Sequence, residues 1–193
     1  SPGQGGGPPA RGIALAFHPG GAPGAARRNR CHRAAPGSRM LQSHLGKVDV
    51  VMDALEKARP AVAAHCRRVA AYAVRLAVQY ELDRDTVETI RLGALLHDVG
   101  KMLIAPRILD KPSRPTEREW QELRIHPQLG VDIAHRTGFD DEVCGIVLYH
   151  HERYDGRGYP DGLAGRQTPV PARLVPPSQP PPPRPARGGG VRT

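Results

Sequence analysis

From Leu41 to about Tyr149, apolar residues recur every three to four positions, the period of helices that bury one face. In Ala61–Tyr80, Val62, Val69, Ala73, Leu76 and Ala77 fall on one face, with Arg67, Arg68 and Arg75 away from it. Asp85–His97 repeats the arrangement with Val87, Ile90, Leu92, Leu95 and Leu96. Leu41–Ala58 has the same character, and Pro60 marks the break after it. Thr116 and Glu119 make a capping box behind Pro115, which predicts helices over Glu117–Ile125 and Pro127–Arg136. Asp140 or Asp141 caps a last helix running to about Tyr149, which Gly156 and Gly158 cannot continue. No stretch of useful length alternates as a strand does. The class is all-α, a bundle of five to seven helices in which about 135 residues bury one core.

Charge then divides the chain. Residues 1–40 hold six arginines and no acid, and residues 176–193 hold three arginines and no acid. Those nine leave 19 of the 28 basic residues in 41–175, where all 19 acids also lie, so the net charge of +9 belongs to the ends. Both ends are rich in glycine and proline without apolar periodicity, so residues 1–39 and 176–193 read as disordered tails around a domain at 40–175. Their arginine runs lack interleaved aromatics for base stacking and read as solvated tails rather than nucleic-acid arms. No apolar run approaches the ~20 residues that span a membrane, and Ile13–Phe17 is too short for a secretory signal. Cys31, Cys66 and Cys144 have neither metal-ligand nor disulfide spacing, which fits a reducing cytoplasm. Cys66 and Cys144 read as small buried hydrophobes.

Candidate chemistry sits in the neutral middle, which holds seven of the nine histidines. Taken singly, each reads as a surface or hydrogen-bonded structural residue. Position changes that for His97, which is followed by Asp98 at the end of the apolar run Leu92–Leu96. A buried His–Asp pair is costly unless compensated, and a divalent cation is the simplest compensation. Imidazole and carboxylate suit iron, manganese or zinc. Gly100 is expected to let the chain turn sharply, so that Lys101 points its ammonium back toward the pair.

The stretches HCRRVAAYAVRLA, LLHDVGK, IHPQLG and HHERYDGRGYPDGL follow one another in that order. Together they resemble the HD-GYP subfamily of HD-domain metal-dependent phosphohydrolases, over about Met40–Val175. The resemblance implies a helical bundle that holds two divalent metal ions, iron or manganese. It further implies hydrolysis of cyclic di-GMP to linear pGpG or GMP by metal-activated water. Matched residue by residue, the metal ligands are His65, His97, Asp98, His126, His150 and His151, with Asp98 bridging the two ions. Lys101 matches a lysine that contacts the scissile phosphate or assists the leaving group, so Asp98 and Lys101 are the catalytic candidates. His44 and His135 match no ligand and are expected at the surface. Glu152 is a candidate to hold the second ring nitrogen of His151. The loop Gly158, Tyr159 and Pro160 is expected to shape the substrate side or to meet a partner, with Gly156 and Gly158 admitting positive φ.

The pattern departs from the subfamily twice. Ala61 stands where some members carry the glutamate of a third metal, so two ions are expected rather than three. After Val175, Gln179 stands at about the place of the aspartate that completes the first metal site. The change of composition at Pro176 looks like a truncated gene or shifted reading frame, and Met40 like a natural start. The first site is therefore expected to be the weaker one, and activity reduced. A second function stands beside the enzyme: an inactive HD-GYP module that acts by binding a GGDEF-domain protein through the GYP loop. Hydrolysis of a different nucleotide is a third, against which the GYP motif counts.

Overall fold

The computed structural model describes residues 37–176; the readings for residues 1–36 and 177–193, Cys31 and Gln179 among them, lie outside the described residues. Helices α1 (Gly37–Ala58), α2 (Pro60–Gln79), α3 (Arg84–Leu96), α4 (Pro106–Leu109), α5 (Glu117–Arg124), α6 (His126–Thr137), α7 (Asp141–Tyr149) and α8 (Val170–Arg173) follow in order. Six of them have eight residues or more, and no strand occurs among the described residues. The all-α class is therefore correct.

Local signals set the boundaries. Pro60 opens α2, where its missing N–H costs nothing and its φ suits the first turn. Asp83 caps α3 by accepting from the Thr86 N–H at 2.9 Å. The Thr116–Glu119 capping box forms at α5 as predicted, and of the two aspartates offered for α7, Asp140 is the cap. The turn of 3-10 helix over Val99–Leu103, α4 and α8 have no counterpart in the periodicity. Each is shorter than the two helical turns needed to print a recurring face.

The central element is α3, which packs against α1, α2, α7 and α8. Its C-terminal half is buried on nearly all sides, and Leu92, Gly93, Ala94 and Leu96 are inaccessible. The main core joins Val48, Met52 and Leu55 of α1 to Cys66 of α2, Leu96 of α3, and Val143 and Val147 of α7. A second cluster sets Ala70, Ala73 and Ala77 of α2 against Ile90 and Ala94 of α3, with Ile146 and Val175 closing it. Val69, Ala73 and Ala77 of α2 are buried where the periodicity placed them, but Leu76, assigned to the same face, is 44 % exposed. Cys66 and Cys144 are buried free thiols, as expected.

Two further expectations change. His44 is buried and stacked on Phe139 at 5.3 Å, not at the surface, whereas His135 is exposed. Gly100 is absent from the positive-φ residues, so a sharp turn is not what requires it. A Cβ on Gly100 would lie 2.0 Å from the His126 carbonyl oxygen and 2.6 Å from the Gly130 nitrogen. Gly100 therefore lets the 3-10 turn lie directly on the start of α6. The same seam brings Asp98 and His126 together.

Candidate metal centre

Three of the site histidines are oriented by one local device. The last carbonyls of a helix have no intrahelical partner, and a histidine three residues further on reaches back to one. His97 Nδ1 bonds to the Ala94 carbonyl at 2.7 Å, His126 Nδ1 to Leu123 at 2.7 Å, and His150 Nδ1 to Val147 at 2.8 Å. A carbonyl can only accept, so Nδ1 carries the hydrogen in each case. In the neutral ring Nε2 is then left with an inward lone pair, the form that binds metal.

These lone pairs converge on Asp98, which is 1 % exposed. Its Oδ2 lies 3.3 Å from His97 Nε2 and 3.8 Å from His65 Nε2. Its Oδ1 lies 3.3 Å from His126 Nε2 and 3.8 Å from His150 Nε2. The Nε2 atoms of His126 and His150 face each other at 3.3 Å. Lys101 Nζ bonds to Asp98 Oδ2 at 2.8 Å, so the ammonium does point back toward the pair.

Two donor sets result, sharing Asp98. One is Asp98, His126, His150 and His151, all buried; the other is His65, His97 and Asp98, with His65 half-buried. In each set one donor atom per residue falls within 4.8 Å of the others. The Nε2 atoms of His65, His97 and His151 and Oδ1 of Asp98 are buried without a hydrogen-bond partner. Orphaned polar atoms of this kind are expensive, and a cation satisfies them together once the rings are neutral. The donors thus fit divalent metal ions, through imidazole nitrogen and carboxylate oxygen.

Electrostatics agrees with that fit. Burial pushes the Asp98 carboxyl up, but the neighbouring His97 and Lys101 charges hold it well below the usual range. Burial pushes the His97 imidazole down, yet the adjacent Asp98 charge carries it up to about 10. Burial and the neighbouring His151 and His97 depress His150, and burial with His126 takes His151 down to about 3. Burial and His97 also lower His65. His65, His150 and His151 are therefore neutral at pH 7, as ligands must be, while His97 competes for a cation with its own proton.

The loop after α7 is built onto this cluster. A Cβ on Gly158 would lie 2.5 Å from Glu152 Cα and 2.6 Å from the His151 carbonyl oxygen, so the loop rests on the backbone of the ligand pair. Close approach, not positive φ, is what Gly158 supplies; Gly156 does take φ +69°. Glu152 does not hold His151. Its carboxylate accepts from the N–H groups of Asp161, Gly162 and Leu163 at 2.7, 2.9 and 2.9 Å and so secures the far end of the loop. Gly158, Tyr159 and Pro160 are all half-buried. The Tyr159 ring stacks on His151 with centroids 4.5 Å apart and planes 16° apart. Neither that stack nor the carbonyl bonds to Nδ1 followed from sequence, although the histidine placement at helix ends pointed toward the latter.

A profile of the HD domain family matches residues 49–176. The chain is 38 % identical over 124 residues to the cyclic di-GMP phosphodiesterase response regulator RpfG of Xanthomonas campestris, covering 63 % of this chain and 33 % of that protein. It is 36 % identical over 125 residues to 3'3'-cGAMP-specific phosphodiesterase 2 of Vibrio cholerae, covering 64 % and 24 %. It is 41 % identical over 114 residues to cyclic di-GMP phosphodiesterase PA4108 of Pseudomonas aeruginosa, covering 57 % and 27 %. The chain spans between 24 % and 33 % of the length of these curated relatives.

Proposed function

We infer the function from one premise: the chain belongs to the HD domain family. On it we propose a phosphodiesterase of the HD-GYP type that opens cyclic di-GMP to pGpG or GMP. Two iron or manganese ions held through Asp98 are part of the proposal, as is a cytoplasmic location. The observation that carries it is the single buried carboxylate serving two converging sets of imidazoles. The names of the relatives support cyclic di-GMP as substrate, and cGAMP among them keeps the substrate class at cyclic dinucleotides.

Bound divalent ions supply Lewis-acid activation of water and of the phosphodiester. The chain supplies the rest. His126, His150 and His151 would hold one ion with Asp98, and His65 and His97 the other. The carbonyl bonds to Nδ1 fix three of these rings before any substrate arrives. Lys101 sets a positive charge beside the shared carboxylate, where a diester's oxygens gather negative charge as water attacks. No covalent nucleophile is required.

The test is turnover of cyclic di-GMP and 3'3'-cGAMP after loading with iron or manganese, beside a His97→Ala, Asp98→Ala control. Linear product above the control supports the reading, and turnover equal to it with both substrates overturns it. The second reading, an inactive module for a GGDEF-domain partner, is favoured by Tyr154, which stands 71 % exposed in the same loop. A GGDEF complex formed by the control and lost on Tyr154→Ala would support it.

A further inference from the structure

His151 is held differently from the other buried ligand candidates. His97, His126 and His150 each bond a carbonyl three residues earlier through Nδ1. No such bond is found for His151, and its Nε2 is buried without a partner. Its ring is instead covered by Tyr159, nearly parallel at 4.5 Å. Tyr159 is fixed in turn: its N–H bonds to the His151 carbonyl at 3.3 Å, and the Arg124 guanidinium lies over its ring at 5.7 Å. Gly158 lets the loop reach that depth, and Glu152 ties down the amides beyond it.

We propose that Tyr159 is a positioning residue for the four-donor metal set, orienting His151 by stacking where the carbonyl bond is missing. This rests on the metal-centre reading given above. A stacked ring stops the imidazole from rotating about its χ2 axis, so Nε2 stays aimed at the cluster without its tautomer being set by a hydrogen bond. The phenol hydroxyl has no part in this, so a phenyl ring serves equally well. The tyrosine of the GYP stretch thus acts through the metal site from behind a ligand, and a surface contact is not needed to explain it.

The experiment is Mn2+ titration of the chelator-stripped chain by calorimetry, for wild type, Tyr159→Phe and Tyr159→Leu, with helical circular dichroism on each. Expected are wild-type affinity in Tyr159→Phe and roughly tenfold weaker binding of one ion in Tyr159→Leu, the scale of losing an outer partner of a ligand. Unchanged binding in Tyr159→Leu, or equal loss in Tyr159→Phe, overturns the proposal. Loss of helical signal in Tyr159→Leu also overturns it, because the ring would then serve the fold and not the ligand. A wild-type chain that binds no Mn2+ overturns the metal-centre reading and this inference with it. Normal wild-type binding with an unaffected Tyr159→Leu overturns this inference alone.

Discussion

The two donor sets that meet at Asp98 are built to different standards. The His126 set has four buried donors, two with Nδ1 locked on a carbonyl and a third stacked under a tyrosine. The His65 set has three donors among the described residues; His65 is 28 % exposed, and His97 is held up to about 10 by Asp98. A cation entering the first set meets His150 and His151 as neutral imidazoles, whereas one entering the second must displace a proton from His97 and share its site with water. Burial and outer contacts, as much as the number of ligands, are expected to decide which half of such a cluster binds a cation more tightly.

The largest effect is expected where the sets join. On the proposed function, Asp98→Asn should cost both ions and lower cyclic di-GMP turnover by on the order of 1,000-fold, measured beside metal content. Lys101→Met removes a charge without removing a donor. Turnover should fall by roughly 100-fold while metal content is kept, which would separate ligation from charge at the shared carboxylate. Gly100→Ala strikes the seam between the turn carrying Asp98 and the helix carrying His126. Overpacking there should lower unfolding free energy by about 2 kcal/mol in urea melts, and Ala at the open Gly46 should not.

The smallest effect concerns the helix that leads into His126. Bonds from Lys111 and Thr116 bring the Glu119 carboxyl from 4.5 to about 2. A depressed carboxyl stabilises the fold above its unfolded value and loses that contribution as pH falls through the folded one. The melting difference between wild type and Glu119→Gln should therefore be constant above pH 4.5 and shrink toward pH 2.

Sequence carried the long helices, because a face repeated over three or more turns leaves a period that short elements cannot. It carried the six ligand candidates through motif resemblance, and the structure brings the five histidines to the sixth, the Asp98 carboxylate. What it could not show depends on contact between distant segments. The role of Gly100 is set by a carbonyl at position 126, and that of Gly158 by backbone at 151–153. Leu76 was misplaced because periodicity fixes a face only to within about one residue's rotation, and His44 because matching no ligand says nothing about burial.

If one buried carboxylate serves a tight and a weaker cation site, as the two donor sets predict, the two should separate in a calorimetric Mn2+ titration of the chelator-stripped chain beside His126→Ala and His65→Ala. Two classes of site are predicted, the tighter one lost in His126→Ala and retained in His65→Ala. A single class weakened equally by both substitutions, or a tight class that His65→Ala removes, would contradict it.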